Sequence, residues 1–251
     1  MKVNEAGWLE ATAEGLPPVV RVPSTRTTML EPDLKGPVAI VWHWTGGPAR
    51  GPAFAQALAD EIRSFDKTKD RAASWHVLVA KDGRVFQSVP FTRGSWHVGR
   101  PGRLGGTPQQ LEGKWDCIQG WAGRLFSNVN KATVGVELEN SGRLERVGSH
   151  FYCWPYWLNP DNHALGPDPK LEVAAERAKA VGAEWFDDFP QPQRDAAARL
   201  LQALALRFGW TRAVSQYQHR HFDPTRKIDP GPLFGDIYLP KIIDSVFGEE
   251  A

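Results

Sequence analysis

Only two cysteines, Cys117 and Cys153, occur in the 251 residues. That is too few for a disulfide framework, and they read as two thiols in or near a core. No dense run of Lys or Arg is present, and 30 basic against 29 acidic side chains leave a formal net charge of +1. This balance disfavours a nucleic-acid partner, which selects a basic stripe. It also leaves no polybasic tract for docking on an anionic membrane. No segment approaches the roughly 18 apolar residues of a membrane-spanning helix. The N-terminal MKVNEAGWLEATAEG carries acidic residues where a secretory signal needs an apolar run of about 7–15. The expectation is cytoplasmic synthesis without a signal peptide, with any action on an outside substrate depending on release by another protein. Neither HExxH nor CxxC occurs, so a metal site would have to be assembled from distant segments.

What is abundant is tryptophan, with eleven residues, alongside 24 glycines and 20 prolines. Most of the Trp side chains read as core, although their flat apolar faces also suit a groove for sugar rings. The length is enough for one domain with a sizeable core or a long elaboration.

Residues 1–36, with Pro17, Pro18 and Pro23 and little periodicity, read as an irregular N-terminal extension. Pro37–Trp44 (PVAIVWHW) is a continuous apolar run, the pattern of a strand buried on both faces. Phe54, Leu58, Ile62 and Phe65 then fall on one helical stripe. Ser74–Ala80 and Arg84–Val89 flank Asp82-Gly83, which predicts a hairpin. Residues 92–130 are glycine-rich and lack a sustained pattern, so they read as a long loop. Thr133–Glu139 (TVGVELE) alternates as a strand. The aromatic, turn-rich stretch 141–168 opens an insertion that extends to about 190. Helices are predicted over about 169–185, 192–208 and 239–247, with Gly209 as the cap of the second. The predicted fold class is α/β (mixed α+β): a single domain over 37–251 with a central mixed β-sheet flanked by helices.

Seven histidines are present: His43, His76, His97, His150, His163, His219 and His221. Any one alone reads more readily as structural than as a ligand. His43 stands at the C-terminal end of an apolar strand, where open α/β sheets bind ligands. The segment Gln218–Pro232 (QHRHFDPTRKIDPGP) concentrates two His, two Asp, two Arg and a Lys between proline turns. A solvated loop and a metal-binding loop both remain open on these grounds.

Four blocks in order resemble the type 2 N-acetylmuramoyl-L-alanine amidases, the superfamily that includes the peptidoglycan recognition proteins. They are VWHWTG, then SWHVLVAKDGRVFQSVP with GSWHVG, then TVGVELEN, and finally HRHFDPTRKIDPGPLF. The last keeps the family's ten-residue step from His to Asp. The resemblance frames about residues 37–140 and 191–235 and implies the peptidoglycan-recognition/amidase fold.

Position by position, the resemblance implies His43, His219 and Asp229 as ligands of one catalytic Zn2+, leaving a fourth position open. It implies Glu137 as general base and acid, and Lys227 as the cation stabilising the oxyanion. Trp96 and His97 fall on the family's groove-lining Trp-His segment. Trp75 and His76 fall beside the site, where a packing role is as open as substrate contact. His150 and His163 have no counterpart. Three departures stand out: Gln218 replaces the usual Gly, His221 the usual Asp, and Trp75 the usual Tyr. His221 and Asp223 thereby become competing metal contacts.

The implied function is zinc-dependent hydrolysis of the bond between the lactyl group of N-acetylmuramic acid and L-alanine of the stem peptide. The long extension, the insertion and the Trp content favour an endolysin-like wall-lytic enzyme, partnered by peptidoglycan and, in a phage setting, by a holin-type release protein. The alternatives are a cytosolic recycling amidase on anhydro-muropeptides, a peptidase cutting within the stem, and a non-catalytic peptidoglycan-binding module.

Overall fold

The computed structural model describes residues 1–11, 18–32, 34–46, 55–56, 73–98, 128–147, 150–153, 171–172, 185–222 and 227–249. Among them the strands are β1 (Lys2–Val3), β2 (Leu9–Glu10), β3 (Val19–Arg21), β4 (Ala39–Trp44), β5 (Val77–Val79), β6 (Val85–Gln87), β7 (Thr133–Leu138), β8 (Arg143–Val147), β9 (His150–Cys153), β10 (Leu171–Glu172), β11 (Trp185–Phe186) and β12 (Tyr217–Gln218). The α-helices are α1 (Gln191–Phe208), α2 (His219–Phe222) and α3 (Leu239–Phe247).

The apolar run ending at Trp44 becomes β4, in which Ala39, Ile40, Val41 and Trp42 expose no surface. It is covered on both edges as well, in a six-stranded sheet ordered β12-β4-β7-β5-β6-β3. The β12, β4, β7 and β5 neighbours are parallel, and β5 pairs antiparallel with β6 around the Asp82-Gly83 turn. The sheet is therefore mixed, and the fold is a single α/β domain. Buried parallel strands with continuous Val/Ile-rich sequence are what this arrangement requires.

Helix α1 follows Pro190, carries Pro192 in its first turn and closes at Gly209, whose φ is 67°. Ala196, Ala197, Leu200, Leu201 and Leu204 recur at helical spacing and are buried against Ile40, Trp42, Val134, Val136 and Leu138 of the sheet. Each such leucine, truncated to Ala, would cost about 2–5 kcal/mol. Helix α3 adds Leu239, Ile242 and Ile243 to the same core. The buried Gln193 of α1 donates through Nε2 to the carbonyls of Val79 (2.9 Å) and Glu139 (3.0 Å). One amide thus ties the ends of β5 and β7 at a fixed spacing. A π-helical turn, Leu233–Tyr238, runs directly into α3. No helix among the described residues is long and apolar enough to cross a membrane.

Three expectations change. The segment read as an irregular extension contains β1, β2 and β3, and β3 pairs parallel with β6 as the edge of the central sheet. Residues 141–168 do not open as irregular chain, because β8 and β9 form an antiparallel pair in a second sheet ordered β10-β11-β8-β9. A helix over 169–185 does not span that range. Leu171 pairs with Phe186 and Glu172 with Trp185, and burial of Phe186 beside Trp44, ring centroids 6.1 Å apart, outweighs helical propensity there. Of the stripe from Phe54 to Phe65, only Ala55 and Gln56 are described, and both are helical. Most of the 92–130 loop, Cys117 and His163 lie outside the described residues.

Candidate metal centre

Strand register builds the site. His43 on β4 is paired with Glu137 on the parallel β7. On the other edge of β4, Val41 pairs with Tyr217 and Trp42 with Gln218, so His219, the next residue after β12, falls in line with His43. Residues in register on one sheet face sit one strand spacing apart, about 4.8 Å. The C-terminal ends of three parallel strands thus carry His219, His43 and Glu137 as a row, at the crevice where open α/β sheets place their chemistry.

Asp229 completes the cluster from a turn beyond α2 in which the Asp229–Pro230 bond is cis. His43 Nδ1 lies 3.0 Å from His219 Nδ1 and 3.2 Å from Asp229 Oδ2, and His219 Nδ1 lies 3.0 Å from the same carboxylate oxygen. All three residues are buried, and their donor atoms form a group able to hold a metal ion. A tetrahedral zinc with bonds of about 2.0–2.1 Å needs ligand atoms about 3.3 Å apart, so the triangle fits the ion closely. The protonation states fit too. Burial first, then the neighbouring His219, lowers His43 to about 4, with Asp229 opposing. Burial pushes the Asp229 carboxyl up, but hydrogen bonding and charge from His219 lead the opposing causes and hold it well below the usual carboxylate range. A neutral imidazole and an ionised carboxylate are the ligand forms that zinc takes.

Glu137 faces this cluster with its Oε2 buried and lacking any hydrogen-bond partner among the described residues. Burial, then the charge of Asp229, raises its pKa well above the ordinary value, while Lys227 pulls it down. Lys227, two residues before Asp229, is near enough that its charge acts on both Glu137 and His43. Glu137 thus presents a half-buried carboxyl, one oxygen of it buried without a described partner, within the charge fields of Asp229 and Lys227.

The remaining predicted residues separate by burial. Trp96 is half-buried, its backbone held by Ser74. His97 is 7% exposed, with Nδ1 3.0 Å from His43 Nε2 and Nε2 3.2 Å from Thr133 Oγ1. His76 exposes nothing. Its Nε2 donates to Arg93 O at 2.9 Å, while Nδ1 accepts from Gly135 N–H at 3.0 Å and meets Ser95 Oγ at 2.7 Å. Trp75 packs with Val22, Leu78, Ala80 and Phe86. His76 and Trp75 therefore stand inside the protein, His76 held by its hydrogen bonds and Trp75 by packing, where a supporting role fits better than substrate contact.

Among the competing contacts, His221 is exposed and its Nδ1 meets Gln218 N–H at 3.3 Å, away from the triangle. Asp223 lies outside the described residues. Gln218 lays its amide over Gly235 and donates to that residue's carbonyl at 3.2 Å. It thereby anchors the ligand segment to the π-helical turn. Trp44, next to His43, lies against two glycines, where an added Cβ would meet its ring at 2.8 Å (Gly231) and 2.9 Å (Gly142). The metal turn and the start of the second sheet therefore close on one indole.

Sequence reasoning passed over Thr133, Asn130 and Gly135. A Cβ on Gly135 would stand 2.6 Å from His97 Cβ, so only glycine lets the imidazole lie on β7. A glycine inside a strand pattern is a signal of such close approach.

Comparison with known proteins finds the following similarities. The AmpD 1,6-anhydro-N-acetylmuramyl-L-alanine amidase of Escherichia coli (strain K12) is 25% identical over 155 residues, covering 59% of this chain and 69% of that protein. A Rattus norvegicus protein named uroporphyrinogen decarboxylase is 28% identical over 205 residues, covering 75% of this chain and 49% of that protein. The chain thus spans about half the length of that relative. A solved structure of a selenomethionine derivative of AmpD aligns with a TM-score of 0.49 at 21% identity, covering 97% of this chain and 99% of that one. Residues 34–232 match the N-acetylmuramoyl-L-alanine amidase family, a span that takes in His43, Glu137, His219, Lys227 and Asp229, and the chain belongs to that family.

Proposed function

We propose that the protein hydrolyses the amide bond between the lactyl group of N-acetylmuramic acid and L-alanine of the peptidoglycan stem peptide, using one zinc ion held by His43, His219 and Asp229. The reading rests on the buried donor triangle with Glu137 in register beside it. Zinc bound there supplies Lewis acidity and lowers the pKa of water towards about 7. Glu137 takes the proton of the attacking water and delivers it to the departing amine of L-alanine as the C–N bond breaks. Its raised pKa lets it hold that proton between the two transfers. Lys227 stabilises the oxyanion that develops on the former carbonyl oxygen, a donor whose loss costs about 10²–10³ in rate. The half-buried Trp96 offers an aromatic face to the sugar.

Intact cell wall is the proposed substrate, which makes the enzyme wall-lytic in the manner of an endolysin, with release by a holin-type partner in a phage setting. A second reading, hydrolysis of soluble anhydro-muropeptides, draws on the similarity to the Escherichia coli protein. A non-catalytic binding module is disfavoured by the joint presence of all three donor residues, Glu137 and Lys227. Digestion of purified sacculi and of anhydro-muropeptides, with and without chelator, tests the proposal by mass analysis. Free stem peptides beginning at L-alanine, lost on chelation and restored by zinc, are the expected product. Binding without release would overturn it, and the preferred substrate separates the two roles.

A further inference from the structure

His97 lies closer to the metal triangle than a groove residue needs to be, and its hydrogen bonds have a fixed direction. Thr133 Oγ1 donates its proton to Val129 O at 2.9 Å, which leaves only its lone pairs for His97 Nε2 at 3.2 Å. His97 Nε2 must therefore carry a proton and donate. No carboxylate is among the described hydrogen-bond partners of His97, so its ring is neutral and Nδ1 is a lone pair. His43 Nε2, 3.0 Å away, then has to donate to it, and His43 Nδ1 is left as the lone pair facing His219 and Asp229.

The ring itself is immobilised. Its backbone N–H and that of Val98 both donate to Asn130 Oδ1 (2.9 and 2.7 Å), and Asn130 Nδ2 donates back to Val98 O at 2.6 Å. Gly135 leaves the space that the ring occupies. The other imidazole in the triangle has no such support, since His219 Nε2 is buried without a partner among the described residues.

We propose that His97, oriented by Thr133, is the positioning residue that sets the tautomer and ring plane of His43, so that His43 Nδ1 is presented to the metal ready for binding. It acts through His43 rather than on substrate. Outer partners of metal-bound histidines typically carry 10–100-fold in metal affinity.

The inference rests on the metal-site reading above, and wild-type zinc binding tests that reading separately. In the metal-free protein, long-range proton–nitrogen NMR correlations of the imidazoles should place the His43 proton on Nε2. Competition with a chromophoric chelator should show zinc affinity falling 10–100-fold in His97→Leu and by a smaller factor in Thr133→Val. His97→Asn, whose Oδ1 can accept the same hydrogen bond, should recover most of the loss. A His43 proton on Nδ1 in the wild type, or wild-type zinc affinity in a folded His97→Leu with only KM raised, would overturn the proposal. Failure of the wild type to bind zinc would instead overturn the metal site itself.

Discussion

Glu137 stands in direct register with His43 across the β4–β7 pair, so the proposed acid–base group and a proposed metal ligand come from paired strands without either depending on a loop. Because Glu137 is no part of the donor triangle, Glu137→Gln should leave zinc affinity unchanged while lowering kcat by about 10²–10⁴. Parallel titration of metal and turnover on the same preparation checks this. Loss of both together would return Glu137 to a structural role.

Removal of the metal should destabilise as well as inactivate. The triangle brings the Asp229 carboxylate against two buried imidazoles, with donor atoms 3.0–3.2 Å apart. Free zinc at 100 times its Kd should raise stability by about 2.7 kcal/mol. Calorimetric melting in chelator and in graded zinc reads the shift. Asp229→Asn should abolish the dependence.

Much of the central sheet was legible because its strands are long and patterned. β4 emerged from an apolar run, the hairpin from Asp82-Gly83, β7 from its alternation, and α1 from the spacing of Leu201, Leu204 and Phe208. β3 escaped because three residues beside Pro17 and Pro18 give no period to detect. β8 and β9 were hidden by their aromatic surroundings, although Arg143–Val147 partly alternates and Gly148-Ser149 is a recognisable turn pair. The donor triangle could not come from spacing alone, since His43 and Asp229 are 186 positions apart. The family resemblance supplied it. The part played by His97 escaped even the resemblance, because it depends on which way one threonine hydroxyl points.

His76 makes stability depend on pH. Burial lowers it to about 4 from an unfolded value near 6.5, so between those values the unfolded chain binds the proton and the folded one does not. Stability from this group is complete above about pH 6.5 and is lost as pH falls towards 4, at about 1.4 kcal/mol per pH unit and about 3 kcal/mol in all. The stability difference between wild type and His76→Gln, read from urea unfolding between pH 7.5 and 4.5, should show that slope. His76→Gln should be less stable at neutral pH and show a shallower slope.

Lys81 joins the hairpin turn to the approach of α1. Its Nζ reaches both carboxylate oxygens of Asp187 at 2.6 Å, and Asp187 also accepts from Ser141 N–H at 2.8 Å. The Asp187 side chain is 2% exposed and that of Lys81 22%. Lys81→Met leaves the buried carboxylate without its cation and should cost about 3 kcal/mol, with Lys81→Met/Asp187→Leu recovering most of it. Denaturant unfolding of the two variants against wild type decides the matter. An equal loss in both would show that packing, not charge, is at stake.

The row of Glu137, His43 and His219 runs across β7, β4 and the end of β12, and β12 is a two-residue strand at the sheet edge. Ligands and base come from segments that meet only when the sheet is complete on that side. A nascent or partly folded chain therefore holds no half-built hydrolase, and turnover becomes a report on assembly of the whole parallel region. That topology keeps unfinished copies chemically silent.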